Sequence, residues 1–93
     1  MKDIRHLKTE LKKEFPIVYE WTDAPNTVYE PHAHQGRVSF YITDGEIVMD
    51  FNGEKKHLKG GDRFDVPVKT KHSALVGENG VSYVVGQDIE GDA

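Results

Sequence analysis

The sequence predicts an all-β fold, an antiparallel barrel or sandwich entered through one short helix. Three observations predict it. After Pro16 the chain divides into about eight short runs rich in β-branched and aromatic residues. Turn-forming clusters separate those runs at regular spacing, the pattern of an antiparallel barrel or sandwich. Before Pro16 the apolar residues recur at helical rather than alternating intervals.

The helix is expected over residues 1–15. Ile4, Leu7, Leu11 and Phe15 fall at intervals of three, four and four, which sets them on one face. Lys2, Arg5, Lys8, Lys12 and Lys13 point elsewhere, and Pro16 ends the segment. So short a helix is not stable alone, and its stripe must cover a barrel flank or a dimer seam. Strands are expected at Ile17–Thr22, Thr27–His34, Arg37–Thr43, Glu46–Phe51, Glu54–Leu58, Arg63–Val66, His72–Gly77 and Val81–Gln87. Asp23-Ala24-Pro25-Asn26 turns the chain after the first, and Gln35-Gly36 divides the second from the third. Asp44-Gly45 and Asn52-Gly53 are the hairpin signals, while Gly60-Gly61-Asp62 and Glu78-Asn79-Gly80 supply further turns. Residues 17–87 would form the barrel, and Asp88–Ala93 a frayed polar tail.

Composition narrows the class. Ninety-three residues suffice for a single domain, 1–93, with a thin core that a second copy often reinforces. There is no cysteine, so disulfides and thiolate chemistry are excluded, and a metal must be held by nitrogen and oxygen. The charged first residues lack the apolar run of a signal peptide, and nowhere do 18 consecutive apolar residues occur. Cytoplasmic residence without a membrane partner is the expectation. A formal net charge of −4 disfavours nucleic acid as a partner.

Chemistry concentrates on three of the five histidines. His32 and His34 lie two apart on an expected strand, so both imidazoles leave the same face and can share one ion. Around them stand Pro31-His32-Ala33-His34, Phe40-Tyr41-Ile42-Thr43-Asp44-Gly45-Glu46, and Gly61-Asp62 with Pro67 and His72. This arrangement resembles the cupin superfamily. His32, His34 and Gly45 keep the spacing of its first motif. Pro67 stands six after Gly61 and His72 five after Pro67, the spacing of the second. The chain is thus similar to a small single-domain cupin of the conserved-barrel type. The resemblance implies a double-stranded β-helix, or jelly roll, with His32, His34 and His72 as ligands to a divalent metal. Iron, zinc, manganese, nickel and copper all suit imidazole.

Four positions depart from the family pattern. Asn26 replaces the first motif's leading glycine, although asparagine tolerates the left-handed backbone. Lys69 and Val76 replace a glycine and an asparagine of the second motif. Val38 occupies the place of the glutamate ligand and cannot coordinate a metal, so the four-ligand site is lost. An ion held by three neutral imidazoles keeps its double charge and favours an anionic ligand such as a carboxylate or enolate. Three-histidine cupins without an acidic ligand include iron-dependent dioxygenases, and the chain looks like them in that respect.

Other site residues follow from alternation. Glu30 shares the parity of His32 and His34, making it a candidate ligand or catalytic acid. Gln35 adjoins the pair, and Tyr83 and Tyr41 are candidate catalytic bases. Val38, Phe40 and Ile42 should line the cavity with the histidines, Ala74 and Val76 with His72, and Phe64, Tyr83 and Trp21 are further candidates. His6 and His57 are expected on the surface, as is Arg37. Ser39 and Tyr41 alternate outward and, with the helix, suggest a homodimer. The function expected is a small metal-binding cupin, a metal-dependent oxygenase or related enzyme acting on a small anionic organic molecule. The alternative is a non-catalytic barrel that binds or senses a small metabolite, with or without metal.

Overall fold

The computed structural model describes residues 3–90. Helix α1 spans Ile4–Lys12 and is followed by β1 (Ile17–Asp23), β2 (Val28–His32), β3 (Val38–Phe51), β4 (Glu54–Lys59), β5 (Arg63–Val66) and β6 (His72–Gln87). All pairings are antiparallel. Strands β3 and β6 are long and pair with each other; β1 and β2 flank β6 in succession, and β5 and β4 flank β3. The sheet therefore has two four-stranded halves, β1-β6-β3-β5 and β2-β6-β3-β4, with β3 and β6 running through both. This is the barrel that the sequence predicts.

Two expected turns are not turns. Asp44-Gly45 and Glu78-Asn79-Gly80 lie inside the continuous strands β3 and β6, which reduces eight expected strands to six. The β3–β6 register shifts between Ile42 and Asp44 and again between Gly45 and Ile47. Gly45 has φ 76° and Gly80 φ 77°, a left-handed backbone that serves a bulge as readily as a hairpin. Sequence alone does not distinguish the two uses of such a glycine. Asn52-Gly53 is a true hairpin: both residues have positive φ, 54° and 90°, as a type I′ turn requires, and Asp50 Oδ1 accepts from the Gly53 amide at 2.8 Å. Asn26 and Lys69, at positions where the family motifs carry glycine, take φ 62° and 58°. The motif geometry is retained without the glycine.

The core has two layers. Ile42, Ile47, Met49, Leu58, Ala74, Val76 and Val81 fill the barrel interior, continued by Val38, Val66 and Val85. Outside it, α1 lays Leu7 and Leu11, with Phe15 just beyond, against Val84, Val18 and Tyr41. Each such buried side chain contributes roughly 1.5–3 kcal/mol. Ile4, expected on this stripe, is exposed. Asp3 caps the helix, accepting from the Arg5 amide at 2.8 Å. Gly86 is required where Phe15 seats, since a Cβ there would lie 2.6 Å from the Phe15 ring.

The helix thus covers a barrel flank. Ser39 and Tyr41, expected to face a second copy, are instead occupied within the chain. Ser39 Oγ donates to Asp65 at 2.6 Å, and the Tyr41 hydroxyl donates to Glu10 at 3.2 Å. Arg63 donates to both carboxylate oxygens of Glu14, at 2.9 and 2.8 Å, and lies over the Tyr41 ring. The tail expected to fray from Asp88 is pinned at its start. Arg37 donates to Asp88 at 2.8 and 3.0 Å, and its guanidinium lies 4.7 Å above the Phe15 ring. Residues 91–93 lie outside the described residues.

The bulge glycines make a graded prediction. A Cβ on Gly45 would strike the Gly80 carbonyl oxygen, whereas one on Gly53 meets nothing within 4 Å. Gly53→Ala should cost on the order of 1–3 kcal/mol for backbone strain alone, and Gly45→Ala clearly more. Chemical denaturation of both variants measures the difference, and equal losses would refute the bulge contact.

Acid stability follows from three carboxylates. Arg63 hydrogen bonds hold Glu14 below the ordinary range, the Ser39 hydroxyl does so for Asp65, and Arg37 for Asp88. The folded chain therefore binds fewer protons than the unfolded chain near pH 4, so this stabilisation is present above the ordinary carboxylate pKa and is lost as pH falls through the folded values. The part of the stability that these carboxylates supply should be level at neutral pH and decline below about pH 4.5. Arg63→Met should be less stable at pH 7, with its deficit shrinking towards pH 3; a pH-independent deficit would contradict the assignment.

Candidate metal centre

His32 closes β2 and His72 opens β6, and the β2–β6 register sets them directly opposite each other. His34 follows two residues later, its carbonyl held by the Lys69 amide at 2.9 Å. That bond ties the turn before β6 to the loop after β2. The imidazole centroids are 4.6, 4.9 and 5.0 Å apart, and one ligand nitrogen from each lies within 4.8 Å of the others. His34 and His72 are buried and His32 half-buried.

Two backbone contacts prepare the rings for a metal. His32 Nδ1 lies 2.7 Å from the Glu30 carbonyl, and His72 Nδ1 lies 3.0 Å from that of Thr70. A carbonyl can only accept, so Nδ1 carries the proton and Nε2 keeps its lone pair. Burial pushes His72 below the usual imidazole pKa, with the two neighbouring histidines adding to the effect and the Thr70 carbonyl opposing it. It is therefore neutral at pH 7, the form that ligates. Phe51 stacks 5.1 Å from His72 and screens it with an apolar surface. The donor set fits a divalent transition metal, which His32, His34 and His72 would hold through three imidazoles. Among the described residues, no carboxylate joins the cluster.

The histidines stand at one part of a cavity of about 640 Å³. Phe40, Ile42 and Ala74, assigned by alternation, line it together with the further candidates Trp21 and Tyr83, and so do Ile17, Tyr19, Tyr29, Ile47, Met49 and Val85. Gln87 and Glu90 are the polar lining residues besides the histidines and the aromatic hydroxyl and indole groups. Three expected lining residues lie behind the wall. Val38 packs with Val66 and Val85, Val76 is sealed in the barrel core, and Phe64 sits against Phe40 and Phe51. The valine at the glutamate's place thus works as a packing residue.

Glu30 also departs from expectation. It is exposed and absent from the lining, while Tyr29 faces in. The cause is a register shift between Tyr29 and His32, which breaks the two-residue alternation at Glu30-Pro31. The same effect reverses the inward parity of β3, from Phe40 and Ile42 to Ile47 and Met49. It also reverses that of β6, from His72 and Ala74 to Tyr83, Val85 and Gln87. Gln35 is exposed, as are His6 and His57. His57 lies 3.2 Å from Glu46 and His6 3.2 Å from Glu10, both far from the cavity lining.

Tyr83 does line the cavity, but its hydroxyl donates to Asp23 Oδ2 at 2.8 Å, and burial pushes its pKa far up. A phenol so held is a hydrogen-bonding group rather than a proton-abstracting base. Asp23 is the residue that the sequence reading missed. It is buried, and its Oδ1 also accepts from Trp21 Nε1 at 2.9 Å and the Tyr29 hydroxyl at 2.6 Å. In the sequence it resembles an ordinary turn aspartate next to Ala24-Pro25.

A family model described as the cupin domain matches residues 19–85. No curated protein matches the chain. Among solved structures, KdgF from Halomonas sp. is similar at 25% identity with TM-score 0.64, over 78% of this chain and 69% of that one. The polyketide cyclase RemF from Streptomyces resistomycificus shares 19% identity with TM-score 0.67, over 76% of this chain and 53% of its own. The DMSP lyase DddQ from Ruegeria pomeroyi shares 18% with TM-score 0.69, over 82% and 39% respectively. The likeness of the last two is one of fold. With the family model spanning most of the barrel strands, and with both histidine motifs in place, this chain belongs to the cupin family.

Proposed function

We propose that this cupin binds a divalent transition metal through His32, His34 and His72 and acts on a small anionic organic molecule in the adjoining cavity, as an oxygenase or a related lyase or cyclase. The observation that carries the reading is the convergence of three imidazoles, two of them with the proton held on Nδ1, beside a largely apolar cavity. When bound, the metal supplies Lewis acidity and open positions for an anionic oxygen. The chain's own contribution is to hold His72 neutral and the Nδ1 protons of His32 and His72 on backbone carbonyls, to line the cavity with aromatic walls and to leave the ion's charge uncompensated. Enzymes among the structural neighbours, a polyketide cyclase and a DMSP lyase, support small-molecule chemistry on this barrel without naming the reaction.

One observation favours a second reading, a barrel that binds without turnover. Glu30 is outside the cavity and the Tyr83 proton is committed to Asp23, which leaves Glu90 as the carboxylate on the lining. Metal content by plasma mass spectrometry on untagged protein tests the shared foundation. Near-stoichiometric metal is expected in wild type, falling by about tenfold or more in His32→Ala and His72→Ala, as losses at metal shells do. No metal after incubation with iron, zinc, manganese, nickel or copper would refute the site. Oxygen uptake by the iron-loaded protein with β-dicarbonyls, thiols and phenolic acids then separates the readings. Turnover supports the enzyme, and ligand-induced stabilisation without turnover supports the binding barrel.

The reading includes a cytoplasmic homodimer. No helix among the described residues is long and apolar enough to cross a membrane. Val28 and Leu75 are cross-strand partners and are 61% and 51% exposed, forming an apolar patch on the outer sheet face that suits a second copy. Sedimentation should give a dimer for wild type and a monomer for Leu75→Glu; a monomeric wild type would end this part of the reading.

A further inference from the structure

The cavity carries a second cluster that the metal reading does not use. Asp23 ends β1, where the β1–β6 pairing sets it opposite Val81, just past the Gly80 bulge. Its buried carboxylate receives three donors: Trp21 Nε1 and the Tyr29 hydroxyl on Oδ1, and the Tyr83 hydroxyl on Oδ2. All three donor side chains line the cavity, whereas Asp23 does not.

Proton counting gives the cluster its meaning. A phenol has one proton to donate and lone pairs with which to accept. A carboxylate is the strongest acceptor in reach, and bonds to it are charge-assisted. Both phenol protons therefore go to Asp23. What each tyrosine oxygen retains towards the cavity is lone-pair density. A ligand that places an ether or carbonyl oxygen there meets repulsion, and a ligand that places an O–H or N–H there is accepted.

We propose that Asp23 is a positioning residue that makes Tyr29 and Tyr83 a paired hydrogen-bond acceptor, so that the cavity selects small anions carrying a hydroxyl or N–H donor. The proposal rests on the small-molecule reading above; the donor preference is set by the tyrosine pair and needs no metal, whereas the anionic group is held at the histidines only through a bound ion. It adds a second point of recognition: the anionic group is held near the histidines, and the donor at the tyrosine pair. The Tyr29 ring lies 6.4 Å from that of His32, so the two points are within the span of one small molecule.

The test uses matched probes, 3- and 4-hydroxybenzoate against 3- and 4-methoxybenzoate. Their dissociation constants are measured by calorimetry on zinc-loaded and metal-free protein. The hydroxy compound should bind about tenfold or more tighter than its methoxy partner, the discrimination expected when a polar site is left unpaired. Tyr83→Phe and Tyr29→Phe should each bring that ratio towards one. Asp23→Asn should lower it further or reverse it, because the amide donates to one phenol oxygen and turns that hydroxyl outward. A merely structural role for Asp23 would alter both affinities together and leave the ratio unchanged. If Asp23→Asn does not fold, the tyrosine variants decide, since each leaves the carboxylate two other donors. A wild-type ratio near one, a ratio that survives both tyrosine substitutions, or binding of none of the four probes would overturn the proposal. Metal content on the same samples keeps the two readings apart: a retained ratio in protein that binds no metal fails the metal site and leaves the acceptor pair standing.

Discussion

Everything in this barrel depends on the pairing of β3 with β6 and on the slip that the pairing takes at Gly45 and Gly80. Two long strands without a slip would keep one face inward along their whole length and could serve one half of the sheet. The left-handed glycines let each strand change parity at mid-length, so that Phe40 and Ile42 give way to Ile47 and Met49, and His72 and Ala74 to Tyr83 and Val85. The interior is apolar in both halves because of that exchange. Neither glycine has room for a side chain: the Gly80 carbonyl fills the place of a Gly45 Cβ, and Asp23 O lies 2.9 Å from a Gly80 Cβ.

The two chemical clusters are products of the same framework, obtained by opposite means. At the histidines, backbone carbonyls take the Nδ1 protons and leave lone pairs converging on a point where a cation fits. At Asp23, a carboxylate takes the phenol protons and leaves lone pairs facing the cavity, where a donor fits. In both places an acceptor outside the lining fixes which atom of a lining residue is available to a ligand. At buried Asp23, low local dielectric makes the arrangement strict.

Much of this was legible in the residues. The helix-then-strands order, the barrel and the three histidines follow from periodicity, turn chemistry and motif spacing, and the structure bears out the fold. Asn26 and Lys69 both keep the left-handed backbone that their glycine positions in the family motifs imply, although lysine, unlike asparagine, has no side-chain preference for it. What was not legible was parity. A bulge adds one residue to a strand, and every inward assignment beyond it changes sides. That is why Glu30 was expected in the cavity and Tyr29 was not, and why Ile47 and Met49 went unassigned. Val38, Val76 and Phe64 failed for a different reason: inward-facing residues divide between cavity wall and close-packed core, and only the third dimension decides between them. Asp23 was hidden because its partners come from three strands.

The pairing of β1 with β6 places Ile17 beside Gln87, joining the first strand to the last. Of the six strands, only β3 and β4 pair through a tight local turn; His32 at the end of β2 and His34 just beyond it meet His72 of β6 across the whole of β3, β4 and β5. Closing such distant contacts is entropically slow, so folding should start at the Asn52-Gly53 hairpin and assemble the histidine cluster late. A chain arrested on the way would carry its imidazoles scattered, and a metal present at that stage has no site to hold it. Completion of the three-imidazole cluster then marks the last step of folding, an order set by topology.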